Sequence, residues 1–291
     1  MDQARGRSEE LAVEVRLVMH WPGLFLRLAA LSGGGLIFLQ SARGQVSTNP
    51  FSFNDYLLAP VRVHLLSAKD SPAIQTTLTE KDITRIFGKM NGVWAQAGLH
   101  FYLESLVREE VNVQEVSPQP GEPTGRRWLL GLRPSQSKAT NTFHIYYLKQ
   151  MSVNGIYFPE AIFVKDTASL RKIEGGIDEP LPRVSSHELG HAFGLPHRQN
   201  TTNLMASGTT GMWLDEGEIS RTREAARKFA WIERASDVME KANAFFSANK
   251  IQEAATFYSR LATIPLRVDQ VEMARQRFGL ARRTDSSSTT K

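Results

Sequence analysis

The chain has 291 residues, 41% of them hydrophobic and 22% charged, an ordinary globular balance that excludes a wholly disordered or collagen-like chain. Its 35 Lys+Arg against 30 Asp+Glu give +5, with no run of five or six like charges, so a nucleic-acid-binding tail has no support. The absence of cysteine excludes a disulfide framework, a thiol nucleophile and Cys-ligated metal, leaving stability to the core.

Residues 28–39, LAALSGGGLIFL, form an apolar run too short to span a bilayer as a helix but of the length of a signal-peptide core. Arg27 precedes it, and Ala42-Arg43-Gly44 places small residues where a signal peptidase reads, with cleavage expected before Gln45. Glu9, Glu10 and Glu14 fit a signal n-region badly, which points to translation starting at Met19. The expectation is a signal over residues 1–44, no stable membrane anchor, and export to the periplasm, cell surface or medium.

A short segment, 45–59, then leads into a domain expected over 60–231. Val61–Leu65 alternates apolar and polar and predicts a strand. Residues 79–97 predict an amphipathic helix: Thr79 and Asp82 resemble a capping box, Ile83, Ile86, Phe87, Met90, Val93, Trp94 and Ala97 recur at helical spacing, and Gly98 stands at the stop. Leu99–Leu106 and Phe143–Leu148 predict strands, separated by a Pro/Gly/Ser-rich loop at 117–137 that carries one short helix around Trp128–Leu132. Gly155–Phe158 and Ala161–Val164 predict two short strands divided by Pro159. The order indicates an α+β fold, a mixed sheet with helices packed on it.

Beyond Asp215, which with Glu218 can cap a helix, the pattern is helical. Residues 232–284 predict a helical hairpin around Asn249-Lys250 that is able to dock a protein partner, and 285–291 a disordered tail. Ala242, Phe245, Ala254, Tyr258 and Leu261 give the hairpin a weak resemblance to a single tetratricopeptide unit.

The chemistry is concentrated in His187-Glu-Leu-Gly-His-Ala-Phe-Gly-Leu-Pro-His197. On a helix, His187 and His191 project from one face and can bring two ring nitrogens to about 2.0–2.1 Å from a zinc ion. Gly194 can end the helix and return His197 as third ligand, while Glu188 reaches a water without binding the metal. Three histidines leave a fourth tetrahedral position open, as in catalytic zinc sites. Three His, one Glu and one Gly at these offsets arise by composition alone in roughly one such chain per hundred thousand. His64, His100 and His144, lying singly in strands, are read as structural, and His20 falls in the signal.

HExxHxxGxxH with a following methionine, Met205 in Asn203-Leu204-Met205-Ala206, resembles the metzincin zinc peptidases, and the short gap to Met205 is similar to the matrixin-type branch. The resemblance implies a zincin-like catalytic domain and places Met205 as an apolar floor beneath a three-His site. It also makes Gly155, Ile156, Tyr157 and Phe158 a cleft-edge strand that takes substrate, and residues 206–213, ending in Trp213, the wall of a pocket with an apolar P1′ preference. Arg198 after the third histidine departs from the named branches, Ser207 replaces the zinc-linked tyrosine of astacin-like enzymes, and no cysteine switch exists. Calcium sites occur in such domains, yet no Asp-rich loop of EF-hand type is present. The expected function is a secreted zinc endopeptidase with Glu188 as general base and acid, acting on peptide or protein substrates and not on nucleic acid. Two other readings are a zinc-containing adaptor with a degenerate peptidase domain, which the intact Glu188 disfavours, and a zinc hydrolase of non-peptide substrates.

Overall fold

The computed structural model describes residues 51–111, 125–134 and 140–288. The expected signal, much of the 117–137 loop and residues 289–291 lie outside the described residues. Among the described residues, no helix is long and apolar enough to cross a membrane.

β1 (Leu57–Ser67) is the central strand, pairing in parallel with β2 (Leu99–Glu110) on one side and β3 (Phe143–Leu148) on the other. β5 (Ala161–Lys165) continues the sheet in parallel beyond β3, and β4 (Gly155–Phe158) closes that edge antiparallel to β5. β1 starts three residues before the expected domain boundary, because Leu57 and Leu58 already pair with Leu99 and His100. The mixed sheet is the one the strand order predicts.

Alternation along the strands assigns two faces. Leu57, Ala59, Val61, Val63 and Leu65 meet Ile145, Tyr147, Ile162 and Val164 on the front face. Two helices cover it: α1 (Glu80–Trp94), with Ile83, Ile86, Phe87, Met90 and Trp94 turned inward, and α3 (Pro180–Ala192), with Leu181, Val184 and Leu189 inward. The Thr79–Asp82 capping box forms, and Gly98 ends the α1 segment in the left-handed conformation. On the back face Leu66, Tyr146, Leu148 and Phe163 pack with Leu129 and Leu132 of the short α2 segment (helix Arg126–Gly131). His64 and His144 lie buried there in hydrogen-bonded contact, Nε2 to Nδ1 at 2.9 Å, and His100 bonds Thr263.

The C-terminal region departs from expectation. After α4 (Glu216–Ala226) and β6 (Glu233–Arg234) come three helices where a two-helix hairpin was predicted: α5 (Ala235–Ser247), α6 (Ile251–Ala262) and α7 (Asp269–Ser288). Pro265 cannot continue α6, and Asp269 and Glu272 supply the acidic first turn of a new helix. α7 runs through Ser288, so most of the segment expected as a tail has helical backbone. Val238, Ala242, Tyr258, Leu261, Val271 and Ala274 form a core that also contains Phe53, Tyr56 and Leu58. Leu58→Ala should therefore cost about 2–4 kcal/mol and loosen sheet and helices in one thermal transition; two transitions by circular dichroism would show the helices to be independent.

Candidate metal centre and cleft

The local sequence explains how three histidines meet. Pro180 opens α3 at a position where a missing N–H costs nothing, and His187 and His191 follow on one face. The helix stops at Phe193, and Gly194 adopts φ 77°, a region costly for residues with a Cβ. Leu195 N–H bonds back to Gly190 C=O at 3.0 Å, and the chain turns so that His197 faces the other two rings.

The three Nε2 atoms lie 3.2 Å (187–191), 3.1 Å (191–197) and 3.2 Å (197–187) apart. The Nδ1–H of His187 donates to Leu204 C=O at 2.9 Å, and that of His191 to Leu195 C=O at 2.8 Å. With Nδ1 carrying the proton, Nε2 of each neutral ring presents a lone pair. Burial depresses the basicity of His187, to about 3, with the Arg183 charge adding to the effect, and it lowers His191 too, so both rings are neutral at pH 7. Acceptors facing acceptors at this range call for a cation between them. A tetrahedral ion with zinc–nitrogen bonds of about 2.0–2.1 Å places its nitrogens about 3.3–3.4 Å apart, close to the observed triangle. His187, His191 and His197 are the group of convergent ligand atoms among the described residues.

Glu188 is 5% exposed and stands beside this triangle. Burial pushes its carboxyl up to about 8, with Arg183 pulling the other way; a dication nearby would lower it further. β4 approaches it closely: a Cβ on Gly155 would stand 2.5 Å from Val184 Cγ1 and 2.6 Å from Glu188 Oε1. Met205 is fully buried under the site, and a Cβ on Gly190 would be 2.5 Å from its sulfur.

These groups line a cleft of about 760 Å³ bounded by β4, α3 and the segment after Met205. Gly155, Ile156 and Tyr157 border it, and the Tyr157 ring lies 6.5 Å from that of His191. Two of the expected residues lie outside the lining of this cleft. Phe158 is not among the cleft residues, because alternation turns it to the back-face core with Phe163. Trp213 also lies away from the cleft: the loop after Met205 doubles back, and Leu204 N–H bonds Trp213 C=O at 2.8 Å, so only Ser207 and Gly208 of that loop reach it.

Sequence reasoning missed the groups that hold the site together. Arg198, noted only as a departure, donates Nε–H to Glu218 Oε1 at 2.7 Å. Asn203 donates to Glu218 Oε2 at 2.7 Å and accepts Met205 N–H at 2.6 Å. Glu218 is 1% exposed and also completes the capping box with Asp215, the one part of this network with a local signal. Arg183, one turn before His187, binds the loop carbonyls of Gly211 and Ala206.

No protein-family model matches the chain, and no curated protein does. Among solved structures, an archaemetzincin from Methanopyrus kandleri is similar at 13% identity and TM-score 0.41, over 58% of this chain and 96% of that one. Metalloproteinase-II from Bacteroides fragilis gives 13% and 0.37 over 62% and 56% of the two chains, and a zinc-dependent peptidase from Methanocorpusculum labreanum gives 11% and 0.29 over 57% and 99%. At these scores the likeness assigns no activity, and the chemistry rests on the geometry of the site. Glu218→Ala, which leaves the buried Asn203 amide without its acceptor and Arg198 with Asp215 alone, should cost about 1–3 kcal/mol, measurable as a lower midpoint in urea unfolding.

Proposed function

We propose that the chain is a zinc-dependent endopeptidase. One observation carries this reading: three imidazoles converge through their Nε2 atoms beside a buried carboxyl group, in a cleft bordered by the outermost strand of the sheet among the described residues. His187, His191 and His197 would hold the ion, which when bound supplies a Lewis acid that lowers the pKa of water to about 7 and polarises a carbonyl.

The protein's own groups do the rest. Glu188 accepts a proton from the attacking water as the water oxygen bonds to the carbonyl carbon. The C–N bond then breaks, and Glu188 returns the proton to the departing nitrogen, leaving one fragment with a new carboxylate and one with a new amine. Among the described residues β4 pairs only with β5, so its other side can take an extended peptide as an added strand. The carbonyls of Leu204 and Leu195 keep His187 and His191 in the ligating tautomer. Export of the enzyme is part of the same proposal and rests on the apolar run at 28–39.

A diverse peptide library incubated with the full chain and analysed by mass spectrometry tests the reading. Wild type should cut it, and chelation should stop cutting until zinc is restored. Glu188→Ala should keep its zinc and lose about 10²–10⁴-fold in rate, whereas His191→Ala should lose the metal as well. Comparable cutting by Glu188→Ala would refute the role of that residue; an uncut library with zinc bound would overturn the peptidase.

Gly155→Ala should lower kcat on the order of 10²-fold with zinc content unchanged, because the new methyl group must displace Glu188 or β4. Steady-state kinetics beside metal analysis separates this from loss of the ion.

A further inference from the structure

Arg183 is a cation in an unusual place. It is only 2% exposed, although it lines the cleft. Arginine is rarely buried to this degree without an anionic partner. Here Nε donates to Gly211 C=O at 3.1 Å and Nη2 to Ala206 C=O, two neutral acceptors from the loop after Met205. Carbonyls satisfy hydrogens but do not cancel a charge. Among the described residues Arg183 forms no ion pair, and Nη1 has no hydrogen-bond partner. Burial lowers its pKa only to about 10, so the guanidinium is charged at neutral pH; Glu188 is the carboxylate whose field reaches it, and that group has its own work at the metal.

A guanidinium offers five N–H donors in a planar fork suited to a carboxylate. Arg183 spends two on the loop, which fixes the fork in place, and keeps both Nη1 hydrogens. The cleft that Arg183 lines also includes small or apolar residues, Leu170, Val184, Ser207 and Gly208 among them. A charge-assisted hydrogen bond gains most where water is excluded.

Building on the peptidase reading, we propose that Arg183 recognises an acidic side chain of the substrate: an aspartate or glutamate close to the scissile bond enters between Val184 and Ser207 and accepts the Nη1 hydrogens. This replaces the apolar preference expected from the sequence. A polypeptide with acidic residues flanking the cut is then the substrate class, and neutral amide isosteres are poor substrates because they leave the cation unpaired.

The test uses the zinc-loaded full chain and a peptide library in which every Glu has a Gln twin and every Asp an Asn twin. Wild type should cut the acidic members with kcat/KM at least about tenfold above their twins. Arg183→Gln, which can still donate to a loop carbonyl, should bring that ratio to about one whatever loss of rate acidic peptides and amide twins share, while Arg183→Lys should keep part of it. Retention of the same library on immobilised Glu188→Ala gives a readout that needs no turnover, and acidic members should again be enriched. Equal cutting of acid and amide twins by wild type overturns the acidic subsite and leaves the peptidase standing. No cutting, with acid-selective retention lost in an Arg183→Gln, Glu188→Ala double variant, overturns the peptidase and leaves the subsite standing. An acid preference that survives Arg183→Gln, or no preference in either assay, overturns the assignment to Arg183. If Arg183→Gln fails to fold, Arg183→Lys decides: a twin ratio unchanged from wild type overturns the assignment, and a reduced one supports it.

Discussion

The arrangement depends on where two protons sit. Each of His187 and His191 gives its Nδ1 hydrogen to a backbone carbonyl, Leu204 and Leu195 respectively, and so turns a bare Nε2 inward. Were either carbonyl displaced, the ring could rotate or change tautomer, and a donor would face the other nitrogens. The helix stop at Gly194 supplies one carbonyl and the turn before Met205 supplies the other. Both loops that wall the cleft are therefore also the parts that set ligand chemistry, and neither can shift alone.

The same economy appears in the packing. Two glycines let backbone and side chains approach the site more closely than any other residue would. Gly190 admits the Met205 sulfur against α3, and Gly155 admits Glu188 against β4. The carboxylate is thus confined between helix and edge strand, and a peptide lying along that edge passes within reach of it. Arg183 and the Arg198–Glu218–Asn203 network secure the intervening loop from opposite ends, by carbonyls at 206 and 211 and by side chains at 203 and 218.

What was legible in the sequence was whatever depends on near neighbours. The four-residue spacing of His187 and His191, the glycine stop and the Thr79–Asp82 and Asp215–Glu218 caps are local events, and strands such as Phe143–Leu148 announced themselves by composition. Contacts across the fold were not legible. The bond from His187 to Leu204 joins residues 17 apart through a turn with no helical or strand period. Phe158 and Tyr157 look alike in sequence, and only the register of β4 on β5 sends one to the core and the other to the cleft. Arg183 reads as an ordinary polar residue on a helix until the 206–211 loop is seen to cover it. In the C-terminal region, periodicity alone merged α6 and α7 into one stretch, although Pro265 divides them.

The placement of Tyr56 and Leu58 has a consequence for how the chain comes to be folded. Tyr56 immediately precedes the central strand and Leu58 is its second residue, yet they are packed among side chains of α5, α6 and α7, and β6 at Glu233–Arg234 pairs with the beginning of β1. The start of the first strand thus completes its packing with partners far down the chain, non-local contacts of the kind that slow folding.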